Sequence, residues 1–165
     1  MDIYQFAMQM EKDGENYYRQ LAKEVTGSGL AKIFTMLADE EVRHYQVVEE
    51  LRRRESKPQL GDATILKDVK NVFSAMRDEK EQLFVDTTAA SNSYRKACTI
   101  EADSEKFYRE NAAQATDSHE QKVFARLAQE EANHLRIMET ILEFVSRPEP
   151  GNWLEDAEWV HLDQY

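Results

Sequence analysis

The 165-residue sequence predicts an all-α fold: a four-helix bundle with one long crossover, built from duplicated helical hairpins. The first observation behind this is an internal repeat. Residues 4–49 align with 94–139 at a fixed offset of 90 without a gap, and 18 of the 46 positions are identical. The second is that apolar residues in both copies recur at three- and four-residue spacing, the period of a helix. The third is that each copy is interrupted once by a short polar break, which forces the helices on either side to lie antiparallel.

The first helix follows from Ile3, Ala7, Met10, Gly14, Tyr18, Leu21 and Val25, all at helical spacing. "TGSG" at 26–29 ends it, with Gly27 suited to the position after the helix and Ser28 to the next N-cap. Leu30, Ile33, Phe34, Leu37, Tyr45, Val48 and Leu51 mark the second helix. "SKPQLGDA" at 56–63 stops it, and a weaker helical stretch at 64–86 carries Leu66, Val69, Phe73 and Met76. The second copy repeats the hairpin around Thr116-Asp117-Ser118, where Ser118 and Gln121 have capping-box spacing. The expected organisation is a bundle over 1–146, with units at about 1–55 and 90–146 and a crossover at 56–89. A tail at 147–165 is too short to fold alone, and its Trp153, Leu154, Trp159 and Leu162 are expected to cover the bundle or meet a partner.

Composition narrows the function. Hydrophobic residues make up 41% and charged residues 32%, which suits a folded helical protein rather than a disordered chain. The net charge of -11 argues against a nucleic-acid surface and favours cations or basic partners. No apolar run reaches the ~20 residues needed to span a bilayer, and "MDIYQFAMQM" lacks the features of a signal peptide. A cytoplasmic protein without membrane contact is expected. The single cysteine, Cys98, excludes an internal disulfide and any Cys-x-x-Cys knuckle; among apolar helix neighbours it reads as a small core residue.

Within the repeat, Glu-Glu-x-x-His occurs twice, at Glu40-Glu41 with His44 and at Glu130-Glu131 with His134. At 100° per residue, Glu41 is centred in its stripe, with Leu30, Phe34, Leu37 and Val48 within about 40° and His44 about 60° away. Glu131 and His134 repeat this among Phe124, Leu127, Leu135 and Met138, while Glu11 and Glu101 sit at the inner edges of their stripes beside Tyr18 and Tyr108. Glu40 and Glu130, about 100° from the stripe centre, are expected at the surface. A third Glu-x-x-His, Glu158 to His161, lies outside the repeat and reads as coincidence.

An isolated buried carboxylate costs several kcal/mol unless it is neutralised or paired. Here four converge on one interior, and no lysine or arginine recurs among the inward positions. Two divalent cations would balance them. Carboxylate and imidazole without thiolate suit iron or manganese, with zinc a lesser fit. The pair would sit ~3.5–4 Å apart, bridged by carboxylates.

The pattern Glu-x6-Tyr…Phe-x-x-Leu-Ala-x-Glu-Glu-x-x-His, present in both halves, resembles the rubrerythrin branch of the ferritin-like di-iron carboxylate superfamily, over about residues 1–146. The resemblance implies that Glu11 and Glu101 are terminal ligands of two iron ions and that Glu41 and Glu131 bridge them. His44 and His134 would each cap one metal, and Tyr18 and Tyr108 would hydrogen-bond ligand carboxylates. Glu15 and Glu105 are either alternative ligands when a metal shifts on oxidation or rim partners of Arg19 and Arg109. Full-length rubrerythrins also carry a rubredoxin-like iron site of four cysteines, which this sequence with its one cysteine cannot form.

The activity that the resemblance implies is reduction of hydrogen peroxide, with electrons from a separate donor such as a rubredoxin. Glu11, Glu41, Glu101 and Glu131 would be the catalytic carboxylates. The alternatives are a ferroxidase or iron-handling protein using oxygen, a manganese catalase, and a non-catalytic bundle held together by metal. A homodimer, with hairpins able to exchange between chains, is the expected assembly.

Overall fold

The computed structural model describes residues 1–25, 27–79 and 87–145. The C-terminal tail, and with it the Glu158 and His161 pair, lies outside the described residues, as does the last part of the crossover. The described chain is five helices: α1 (Ile3–Glu24), α2 (Ser28–Arg53), α3 (Ile65–Asp78), α4 (Thr87–Gln114) and α5 (Ser118–Val145). It is the all-α, ferritin-like bundle expected. The chain is already helical at Thr87, slightly ahead of the expected start of the second unit.

Local chemistry explains the helix ends. Asp2 caps α1 through a capping box, its carboxylate accepting from the Gln5 amide at 2.7 Å while its own amide donates to Gln5 Oε1 at 3.1 Å. The break before α2 differs from expectation: Gly27 is the N-cap, in extended backbone, and Ser28 is already the first helical residue. The start of α5 differs in the same way. Asp117, not Ser118, supplies the cap, its Oδ1 accepting from the Glu120 amide at 2.8 Å, and Gln121 instead donates to the Ala115 carbonyl. A carboxylate at a helix N-terminus also meets the positive end of the dipole, which makes Asp117 the stronger cap.

α1 packs along α2 and α4 along α5 as antiparallel hairpins. Across the hairpins only a few backbone positions approach closely, because large side chains fill the interior. Two apolar clusters form there. One joins Tyr18, Leu21, Leu30, Phe34 and Leu37 to α3, to Tyr94 and Ala97 of α4 and to Ile137, Met138 and Ile141 of α5. The other joins Ala7, Val47, Val48 and Leu51 to Tyr108, Val123, Phe124 and Leu127. α3 seals the first end with Ile65, Val69, Val72, Phe73 and Met76. Ile3, expected in the apolar stripe, is instead 43% exposed, at the first residue of α1. Cys98 is half-buried against the first cluster.

Matching positions of the repeat fall in opposite clusters: Tyr18 is in one and Tyr108 in the other. The two hairpins are therefore related by an approximate twofold axis running across the bundle. Positions far from mid-helix are sent to opposite ends, whereas positions at mid-helix meet. This is why a duplicated motif makes one site instead of two.

Candidate metal centre

The layer between the two apolar clusters is polar. Glu11, Glu41, His44, Glu101, Glu131 and His134 are each at most 3% exposed. They come from four helices, one Glu each from α1 and α4 and a Glu-x-x-His each from α2 and α5. Ligand atoms of Glu11, Glu41, His44 and Glu131 lie within 4.8 Å of one another, as do those of Glu41, Glu101, Glu131 and His134. Glu41 and Glu131 belong to both groups. The geometry thus divides the six residues into two overlapping sets, with the shared pair in the middle.

Contacts cross between hairpins. His44 Nδ1 is 3.0 Å from Glu131 Oε1, and His134 Nδ1 is 3.1 Å from Glu41 Oε1. The two imidazole rings stack at 5.4 Å between centroids, 10° apart in plane. The Tyr18 hydroxyl donates to Glu101 Oε1 and the Tyr108 hydroxyl to Glu11 Oε1. Gly14 packs directly on one of the shared carboxylates, where a Cβ would lie 3.4 Å from Glu41 Cδ.

This is an electrostatically strained interior. Burial, followed by repulsion from Glu131, Glu11 and Glu101, pushes the Glu41 carboxyl well above its ordinary range. Burial and the Glu131 charge, partly countered by His134, raise Glu101 to about 8. The net effect on Glu131 is opposite: burial alone would raise it, but His44 and His134 hold it low. Both histidines are raised well above the usual value, because the facing carboxylates outweigh burial. The two tyrosines are raised by burial and then by Glu101 or Glu11, so both stay protonated as donors.

Those features suit bound cations. Four carboxylates and two imidazoles form a hard, mixed O/N donor set without sulfur. Glu131 Oε2, fully buried, has no hydrogen-bond partner, an arrangement a metal ion would satisfy. The residues present fit a pair of metal ions.

The remaining sequence candidates fall elsewhere. Glu15 is paired with Lys12 at 2.8 Å and Arg19 at 3.4 Å, and Glu105 with Arg109 at 2.5 Å. Both point toward the rim, outside the groups that could hold a metal among the described residues. A surface cleft between α1 and α2, of about 800 Å³, is lined by Glu11, Lys12, Glu15, Val42, Tyr45 and Gln46 among others and so reaches the polar layer from that side.

Glu130 corrects the sequence reading. Expected at the surface, it is fully buried and receives three cationic or imidazole groups: His44 Nε2 at 2.7 Å, Arg43 and Arg126. Glu40 is partly buried, with Arg43 at 2.6 Å and His134 Nε2 at 3.9 Å. A helical wheel measures only the angle within one helix, and here the neighbouring hairpin covers the flank. The retention of Glu at both 40 and 130 through the duplication was the available signal.

A bundle in which two helices each give one Glu and two others each give Glu-x-x-His to a shared interior defines the ferritin-like carboxylate class. Within that class, the rubrerythrin family model matches residues 2–142, and the chain belongs to the rubrerythrin family. That family consists typically of di-iron proteins that exchange electrons with redox partners. No curated protein and no solved structure matches the chain significantly. No helix among the described residues is long and apolar enough to cross a membrane.

Proposed function

We propose that this protein is a di-iron peroxidase that reduces hydrogen peroxide to water, drawing electrons from a separate donor protein such as a rubredoxin. The observation that carries the reading is the pair of buried, interlocked ligand groups sharing Glu41 and Glu131, inside a member of the rubrerythrin family. Glu11 and His44 would hold one iron and Glu101 and His134 the other, with Glu41 and Glu131 between them. When bound, the two irons supply one electron each and the Lewis acidity needed to cleave an O–O bond.

The protein's own groups set the conditions. The apolar clusters on both sides of the layer keep bulk water away from it. Tyr18 and Tyr108 hold their protons and orient one oxygen each of Glu101 and Glu11. The cleft along α1 offers a small oxidant a path to the Glu11 side. Reducing one peroxide to two waters consumes two protons. Carboxyls whose affinity for protons is raised by burial, Glu41 and Glu101 above all, are suited to relay them.

The test is an anaerobic titration of Fe(II)-loaded protein with hydrogen peroxide, following the near-ultraviolet absorbance of the oxidised centre, with oxygen as comparison. A fast rise that saturates at one peroxide per two irons, with oxygen much slower, is the expected result. A faster response to oxygen, with iron uptake beyond two per chain, would replace this reading with a ferroxidase.

A further inference from the structure

We infer that Arg43 is a positioning residue that holds both metal-facing histidines at once, joining the two halves of the centre through a single guanidinium. The inference rests on the di-metal reading above and adds to it a layer outside the ligands.

Each histidine has an inner and an outer nitrogen. The Nδ1 atoms face the carboxylate layer: His44 Nδ1 is 3.0 Å from Glu131, and His134 Nδ1 is 3.1 Å from Glu41. The Nε2 atoms face away from it, toward the doublet glutamates of the opposite hairpin. Glu130 Oε2 lies 2.7 Å from His44 Nε2, and Glu40 Oε2 is 3.9 Å from His134 Nε2. A carboxylate on the outer nitrogen keeps a proton there, so that the inner nitrogen presents its lone pair to a metal.

Arg43 connects these two carboxylates. Its Nη2 is 2.6 Å from Glu40 Oε2 and 2.5 Å from Glu130 Oε2. The same oxygens therefore face the arginine on one side and the histidines on the other. Hydrogen bonds run from His44 through Glu130 and Arg43 to Glu40, and a longer approach of 3.9 Å separates Glu40 from His134 Nε2 on the opposite hairpin. His134 Nε2, fully buried, has no hydrogen-bond partner. Its distance to Glu40 makes that half the looser one. Although Glu40, His44 and His134 are close enough together to suggest a further cation site, the Arg43 guanidinium already supplies the positive charge there.

The duplication makes the point sharper. Glu40, Glu130 and both histidines are repeated, but Arg43 is matched by Asn133 and Arg126 by Met36. Asn133 instead accepts from Gln129 at 3.3 Å. The twofold arrangement brings both outer carboxylates to one place, so one cation serves both and a second would be crowded out. Glu130 gains a further contact from Arg126 Nε at 3.3 Å, an anchor that Glu40 lacks. With Arg43 neutralised, two carboxylates that now share a cation would repel. The freer one, Glu40, would turn to solvent and leave His134 without its outer carboxylate, while Glu130, held by Arg126 alone, would be less firmly set against His44. Both contacts are made by the one Nη2 atom, so a lysine can replace the charge, but on a shorter side chain.

The test uses Co(II), a spectroscopic probe of ligand field, titrated into the metal-free full chain against a competing chelator. The variants are Arg43→Gln, Arg43→Lys and, for comparison, Arg126→Met. Arg43 is partly exposed, with 32% of its side chain accessible, so these changes leave the core intact. Arg43→Gln is expected to weaken binding of both cobalt equivalents by about 10–100-fold, the usual effect of losing an outer partner of a metal-bound histidine. It should also alter the Co(II) visible spectrum, which a merely structural loss would not do. Arg43→Lys should recover part of the affinity, and Arg126→Met should affect one equivalent only. Unchanged affinity and spectrum in Arg43→Gln, or a loss confined to one equivalent, would overturn the inference while leaving the metal centre standing. Failure of the unmodified chain to bind two equivalents would overturn the di-metal reading and this inference with it.

Discussion

If the buried carboxylates exist for metal and not for the fold, neutralising one should stabilise the metal-free protein. Glu101→Gln is the suitable perturbation, because the amide keeps an oxygen for the Tyr18 hydroxyl and nearly the same volume. In the metal-free fold Glu101 is raised from 4.5 to about 8, chiefly by burial. A tenfold change in acidity is worth about 1.4 kcal/mol, so ionised Glu101 costs on the order of 5 kcal/mol once the pH passes 8. Its charge also supports protonated His134, and losing that support reduces the net gain to roughly 2–4 kcal/mol. The sign follows from the direction of the shift. A carboxyl with a raised folded-state pKa leaves stability intact below its unfolded value of 4.5 and erodes it as the pH rises toward 8. Metal-free Glu101→Gln should therefore melt close to the parent at pH 5 and roughly 5–15 °C above it at pH 8. Saturating Mn(II) should reverse the order at pH 8, because the parent retains a ligand that glutamine replaces poorly. Thermal melts followed by circular dichroism, with chelator and with Mn(II), measure all four conditions. A metal-free variant that melts below the parent at pH 8, or a gap of equal size at both pH values, would refute the reasoning.

Three other outcomes are expected. Tyr18→Phe and Tyr108→Phe each leave a buried carboxylate oxygen without its donor, at about 1–3 kcal/mol in the metal-loaded protein. Denaturant titration of the double variant should show a loss that departs from the sum, because both tyrosines act on ligands of one centre that share Glu41 and Glu131. Gly29→Ala would drive a Cβ into the Met76 side chain, against Cγ and Sδ. It should cost about 1–3 kcal/mol despite better helix propensity, whereas Gly14→Ala, mid-helix and in ordinary contact with Glu41, should raise the denaturation midpoint slightly. Val42→Trp fills the cleft that reaches Glu11; stopped-flow Co(II) uptake should slow while the final stoichiometry stays at the parent value, and Ala102→Trp on the α4 side should leave the rate alone.

Much of this protein could be read from the order of its residues. The repeat at an offset of 90, the apolar stripes and the Glu-x-x-His pairs define the helices, the hairpins and the inward carboxylates, because each depends on angles within a single helix. The inward placement of Glu41, His44, Glu131 and His134 follows in the same way, since the apolar residues around them must be buried and carry them along. What one helix cannot report is what the opposite hairpin brings to its flank. Glu130 lies about 100° off its stripe, where an isolated helix meets water, yet it is fully buried because α2 presents Arg43 and His44 there. The cross-hairpin pairing of Tyr18 with Glu101 and Tyr108 with Glu11, and the meeting of both outer carboxylates at one arginine, likewise arise only when the two hairpins dock about their twofold axis. Sequence determines which way a side chain points from its own helix; only the packing of the two hairpins decides what it meets.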